Sequence, residues 1–195
     1  MTLVGFKRAT IGIFGSDGTV TEKIIVEGKA EKGATTTAEI TGLSKEATRV
    51  YGSDIAYYVS QRGTGDVSVN LGLLDLPDAA NDKILGYKTS TEGISYIGND
   101  TEAPYVAIML ESGNLQGEKA MLGFFKGKIS KESITLNTLN NEAFTPEAET
   151  YVFSAIEDTK EGESFGQIVG KYVGDAQDSI TKLEKQVFPT SLPVG

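Results

Sequence analysis

Gly65-Asp66-Val67-Ser68-Val69-Asn70-Leu71-Gly72-Leu73 alternates apolar and polar residues over the length of one strand. Val67, Val69, Leu71 and Leu73 fall on one side of an extended chain, with Asp66, Ser68 and Asn70 on the other. That is the pattern of a strand buried on one face and wetted on the other. Downstream the period changes. Asp75 can cap a helix with Pro77 in its first turn, Leu76, Ala80, Ile84 and Leu85 supply a helical apolar face, and Gly86 can end it. A helix of about three turns is expected. Tyr105 to Leu110 is continuously apolar and Ala120 to Phe125 nearly so, as in strands covered on both faces or paired at an interface. Ser112-Gly113-Asn114 and Gln116-Gly117 between them signal a hairpin turn.

Working outward, Val4 to Phe14 is rich in β-branched and aromatic residues and is followed by Gly15-Ser16-Asp17-Gly18 and a second strand-like run, Thr19 to Val26. Asp17-Gly18 supplies residue types that tolerate positive φ, so an opening hairpin is expected. Gly28 to Thr37 mixes charges, glycines and threonines without apolar period and reads as a loop up to Ala38-Glu39-Ile40. Thr150 to Ile156 reads as a late strand. Gly162, Gly166, Gly170 and Gly174 recur every four residues; they mark turns or an ordinary Gly-rich strand, or else a strand face that another backbone approaches closely. From Asp175, Ala176, Ile180, Leu183 and Val187 make a helical stripe, with acids early and Lys182 and Lys185 late, matching the helix dipole. Phe188-Pro189 stops it. The expected class is mainly β, with one short helix and a C-terminal helix near 175–188. Residues 1–188 are read as one domain and 189–195 as a tail.

The composition narrows function. The chain has 195 residues, a formal charge of −9, no histidine and no cysteine. Without histidine it lacks the usual proton shuttle at neutral pH and any His-containing triad or zinc site. Without cysteine, stability must come from packing and assembly. The charge opposes a sequence-reading nucleic-acid binder, which needs a clustered basic face, but not proximity to DNA. No apolar run approaches membrane-spanning length, and the start lacks a secretion signal, so synthesis in the cytoplasm and no membrane partner are expected.

Local motifs add little chemistry. Ser179-Ile180-Thr181-Lys182 has the spelling of a serine-lysine pair, but its companion motifs come in the wrong order. Asp75, Asp78 and Asp82, like Glu142, Glu147 and Glu149, lack the ligand spacing and turn glycine of a calcium loop and read as caps and solvated surface. Asn99-Asp100-Thr101 spells a glycosylation sequon without a secretory context. Phosphate-loop and dinucleotide patterns are missing, so no cofactor and no catalysis are expected.

Arg49 to Arg62 stands apart. It holds two of the chain's three arginines and, in Tyr51, Tyr57 and Tyr58, three of its eight tyrosines. Tyrosine brings broad apolar area with one polar tip, and arginine binds a partner's carboxylate in bidentate fashion. Two readings are open for the tyrosines: half-buried in the sheet of their own chain, or engaged between subunits.

In their order, Val4-Gly5-Phe6-Lys7, Tyr51-Gly52-Ser53-Asp54, Leu85-Gly86, Pro104-Tyr105-Val106 and Gly123-Phe124-Phe125-Lys126-Gly127-Lys128-Ile129 resemble the major tail tube proteins of long-tailed bacteriophages. The resemblance spans roughly Val4 to Ile129. It implies a virion structural protein of β-sandwich or barrel-like fold with a flanking helix, whose subunits form six-membered rings that stack into a hollow tail tube for DNA, without sequence-specific DNA binding. Six chains would carry −54, which opposite-charge contacts or counterions must offset. It also implies partners in further copies of the chain and in the tape measure, tail initiation and tail completion proteins, and a place in the virion tail after assembly in the host cytoplasm. By family analogy the long loop Ser44 to Thr64 mediates ring stacking, with Arg49, Tyr51, Asp54, Tyr57, Tyr58 and Arg62 as subunit or ring-stacking contacts. Asp66, on the polar face of the alternating strand, is the candidate lumen-facing acid. The main competing reading is a monomeric β-sandwich module that binds a ligand or saccharide, which the lack of tryptophan weakens.

Overall fold

A computed structural model describes residues 2–138 and 143–190. In chain order the elements are β1 (Leu3–Phe14), β2 (Val20–Val26), β3 (Ala34–Thr41), β4 (Thr48–Gly52), β5 (Ile55–Ser60), β6 (Ser68–Leu74), α1 (Asp78–Leu85), β7 (Lys88–Thr89), β8 (Ser95–Tyr96), β9 (Val106–Asn114), β10 (Lys119–Ser130), β11 (Glu149–Ile156), β12 (Val169–Val173) and α2 (Gln177–Val187). The main sheet runs β2-β1-β9-β10-β11-β6-β3, and β12 joins it as a branch on β10. Every strand pair in it is antiparallel.

The sheet curls on itself. One buried cluster gathers Ala9 and Ile11 of β1, Val26 of β2, Val69, Leu71 and Leu73 of β6, Ile108 of β9, Phe124 of β10 and Phe153 of β11. Strands from both ends of the order share that interior, and the Thr35 hydroxyl of β3 donates to the Phe6 carbonyl of β1 at 2.7 Å across the gap. The result is a barrel-like, mainly β subunit, in line with the fold that the resemblance implies. α1 closes it with Ile84 and Leu85, and the Tyr151 hydroxyl lies 2.9 Å from Asn81 Oδ1 of α1 and 3.0 Å from Glu149 Oε2. Burial, reinforced by the Glu149 carboxylate, raises the Tyr151 pKa well above the ordinary phenol value.

The two continuous apolar runs now have a cause. Val106, Ile108 and Leu110 point into the barrel, while Ala107 and Met109, with Met121 and Phe125, point out to a second cluster made with Leu183, Val187 and Phe188 of the α2 segment. A hairpin covered on both faces loses the polar half of its alternation. Helix and sheet meet very closely. A Cβ on Gly123 would stand 2.4 Å from Val187 Cγ2, and one on Gly170 would stand 2.7 Å from Leu183 Cδ1.

Several boundaries differ from expectation. β3 begins at Ala34, inside the stretch read as a loop, because Ala34 to Thr41 pairs with β6 and tertiary pairing overrides a polar composition. α1 is eight residues, nearer two turns than three, and its N-cap is Pro77 with no side-chain cap bond. Asp75 instead turns the chain at φ 50° before the helix. Gly86 ends α1 in the left-handed conformation, as expected. The four spaced glycines do not share a strand face: Gly162, Gly166 and Gly174 have positive φ outside β12, and only Gly170 lies within it, beneath α2. Ala176 caps α2 and does not belong to its buried stripe of Ile180, Leu183 and Val187.

Gly123→Ala is expected to lower stability by about 1–3 kcal/mol through overpacking beneath α2. Gly98→Ala, where the nearest atom to an added Cβ is Asp100 Oδ1 at 3.4 Å, should stay within about 0.5 kcal/mol. Urea unfolding of both variants checks the contrast.

Candidate assembly interface

The stretch expected as a long loop, Ser44 to Thr64, is a protruding β-hairpin. β4 and β5 pair only with each other, as a two-stranded sheet apart from the barrel. Gly52 pairs with Ile55, leaving Ser53 and Asp54 as a two-residue turn with φ of 51° and 63°. Positive φ at both central positions gives the turn a twist matching that of the flanking strands. Thr48, Val50, Ile55, Tyr58 and Ser60 share one face by register; Arg49, Tyr51, Ala56 and Val59 share the other, and the register slips at Tyr57. At its root the Gly65 amide donates to the Gly42 carbonyl at 2.9 Å, and the Lys45 amide donates to Gly63 at 3.2 Å. A Cβ on Gly42, at φ 75°, would lie 2.1 Å from the Asp66 carbonyl oxygen, so only glycine fits where the arm leaves the barrel.

This hairpin buries almost nothing. All its strand residues except Ser60 are exposed, with Tyr57 at 81%, Tyr51 at 67%, Ile55 at 61% and Tyr58 at 57%. The tyrosines are therefore not half-buried in a sheet of their own chain. A lone two-stranded hairpin is at best marginal in water, and a contiguous exposed apolar surface of this kind marks an interaction site. Its charge is also distinctive: Ser44 to Thr64 carries Lys45, Arg49 and Arg62 against Glu46 and Asp54, a net of +1 that leaves −10 on the rest of the chain. Arg49 and Arg62 form no ion pair with a described residue, whereas Arg8 pairs with Glu111 at 2.5 Å. Asp66 is exposed at the arm's root, two residues before β6 starts.

The remaining titratable candidates are scattered. Asp78 lies in the first turn of α1, Asp82 accepts from the Ser95 hydroxyl, and Glu149 pairs with Lys131 at 2.8 Å. The Lys131 ammonium holds the Glu149 carboxyl below its ordinary pKa, against the opposing effect of burial. Glu142 lies outside the described residues. A cleft of about 390 Å³, lined in part by Phe14, Tyr105, Asp158 and Lys160, contains the one buried orphan: Asp158 Oδ2 has no hydrogen-bond partner among the described residues. Lys160, whose pKa burial lowers, sits 3.6 Å from Asp158 Oδ1 and donates to the Gln186 carbonyl at 3.0 Å. This pair ties the 158–160 turn to the end of α2.

Two apolar patches escaped the sequence reading: Ile94, Tyr96 and Ile97 around β8, and Ile134, Leu136 and Phe144 in the β10 to β11 connection. The alternation Ser133-Ile134-Thr135-Leu136 was the available signal for the second.

The family model described as phage tail tube protein matches residues 1–191. This chain belongs to the phage tail tube protein family. No curated protein matches it. The family is structural and not enzymatic, and membership implies self-assembly into a tube and a place in the virion tail. Among the described residues, no helix of this tail tube protein is long and apolar enough to cross a membrane. The exposed arm is the most conspicuous feature of the subunit with a surface to spare for such assembly.

Tyr57→Ser and Ile55→Ser are each expected to change subunit stability by less than about 0.5 kcal/mol, since neither side chain is buried within the chain. Thermal unfolding of the unassembled protein is the check.

Proposed function

We propose that residues 1–188 act as one tube-building unit, that six copies close into a ring, and that rings stack into the hollow tail tube through which DNA passes. The observation that carries this reading is the β4–β5 arm, which exposes Val50, Tyr51, Ile55, Tyr57, Tyr58 and Val59 together. Fully burying one such apolar side chain contributes about 1.5–3 kcal/mol before ordering costs, so a few per subunit, repeated around a ring, suffice to hold rings together. Arg49 and Arg62 then face acids of the neighbouring ring, where the −10 of the remaining chain makes carboxylate partners plentiful. Tyr51, Asp54, Tyr57 and Tyr58 complete the stacking contact.

Within a ring, the sheet edge of one subunit meets the next, because an unpaired edge otherwise invites uncontrolled pairing. The helix-free face of β3, β6 and β11, with Thr37, Glu39, Asn70 and Ser154 in register, faces the lumen in this arrangement. Asp66 has the same parity as Ser68 and Asn70 and adds an acid to that wall, which repels phosphate and lets DNA slide without sequence-specific contact. By family analogy the tape measure, tail initiation and tail completion proteins are the other partners, and assembly takes place in the host cytoplasm.

Negative-stain electron microscopy across protein and salt concentration tests the reading. Rings or hollow tubes are expected, favoured by salt that screens the acidic repulsion; monomers under every condition would overturn it. Arg49→Glu and Arg62→Glu should each raise the concentration needed for tube formation about tenfold, a change of about 1.4 kcal/mol, while leaving the subunit's melting temperature unchanged. Tubes formed as readily by both variants would remove the arginines from the contact.

A further inference from the structure

In a stacked tube the β4–β5 arm needs a partner surface. A contact repeated from ring to ring is head-to-tail, so its two halves lie at opposite ends of the subunit. The ladder fixes those ends. β1, β10 and β6 are two antiparallel steps apart in the sheet order and therefore run the same way. The arm leaves the barrel just before β6 starts, and Leu3 at the start of β1 and Leu115 in the β9–β10 turn are exposed at that same end, which excludes them as its seat. Over its seven residues β6 carries the chain about 20 Å away and delivers α1 and the β7–β8 hairpin to the other end.

That far hairpin complements the arm. Ser95 turns inward, where its hydroxyl donates to Asp82 of α1, so Ile94 and Tyr96 on either side of it point away from the subunit. They stand 54% and 57% exposed, and Ile97 beside them 63%. Residues 88–102 carry Lys88 against Glu92, Asp100 and Glu102, a net of −2 where the arm carries +1. Asp100 is taken by Lys88 and Glu102 by Lys128, but Glu92, exposed in the turn of the hairpin, forms no ion pair with a described residue. Tyr105, exposed just before β9 at the same end, has the Lys126 and Lys128 ammoniums each 4.8 Å from its ring centre, a cationic surround that repels an arginine.

We infer that the β7–β8 hairpin of one copy is the seat for the β4–β5 arm of a copy in the next ring, with Arg49 paired to Glu92 and with Tyr51 and Val59 packed on Ile94, Tyr96 and Ile97. Arg49, Tyr51 and Val59 share one face of the arm by register, so a single surface brings the charge and the apolar area together. The seat matches it, with its acid two residues before Ile94 and its three apolar side chains within four positions. An arginine–carboxylate bond beside an apolar contact fixes the register, while the aromatic and aliphatic area supplies most of the strength. This rests on the tube reading and gives the stacking arm its partner surface.

Charge reversal and its restoration test it on the full chain. Glu92→Arg is expected to raise the critical concentration for tubes about tenfold, as Arg49→Glu does. Combining Arg49→Glu with Glu92→Arg should return it to within about threefold of wild type. Ile94→Ser and Ile97→Ser together should also raise it about tenfold. All these variants keep the melting temperature of the unassembled subunit, and negative-stain images show rings persisting where tubes are lost, because the contact joins rings. If Glu92→Arg and the Ile94/Ile97 variant assemble like wild type while Arg49→Glu does not, the seat is overturned and the stacking arm stands. A charge swap that assembles no better than either single variant overturns the Arg49–Glu92 pairing, and a wild-type chain that never assembles overturns the seat and the tube reading together.

Discussion

The subunit depends on a single constraint: the β9–β10 hairpin is apolar on both faces and must be covered twice. The barrel interior covers one face through Val106, Ile108, Leu110 and Phe124; α2 covers the other through Leu183, Val187 and Phe188. From this follow the close seat at Gly123 and Gly170, the position of β12 beside the first half of β10, and the handover of its second half to β11. With α2 spent on that face, the opposite side of the barrel, across β3, β6 and β11, is left without a helix.

The division between covered and uncovered surface accounts for much of what the molecule offers a partner. Strands that complete the barrel hide most of their apolar residues, and the exposed positions of β3 are threonine and glutamate. The β4–β5 arm reverses this, holding its shape by its own ladder and turn while presenting tyrosines and aliphatic side chains to water. Such a surface marks an interaction site. On the proposed reading that site is filled within the tube, where the arm's slight positive charge meets the acidic body of another copy.

Much of this was legible in the chain. The alternation from Val67 to Leu73, the hairpin signals at Asp17-Gly18 and Gln116-Gly117, Gly86 as a helix stop and the stripe Ile180, Leu183 and Val187 all appear as local periodicity or turn chemistry, and those forces act over a few residues. Arg49, Tyr51, Tyr57 and Tyr58 drew notice by residue type alone. The hairpin they sit on did not, because the Ser53-Asp54 turn lacks the glycine that usually announces a tight reversal. β3 was missed for a related reason: its threonines become a strand only when β6 supplies the partner.

By itself, then, the sequence determined the β-rich class, most strand positions, the two helices and the family resemblance, since each rests on local pattern or on the order of short motifs. Only the tertiary structure decided that the sheet curls into a barrel, that α2 covers its outer face, that Tyr51, Tyr57 and Tyr58 are exposed, and that the spaced glycines divide between turns and a helix seat. Those outcomes depend on which surfaces meet across long stretches of chain, and burial is a property of the partner as much as of the residue.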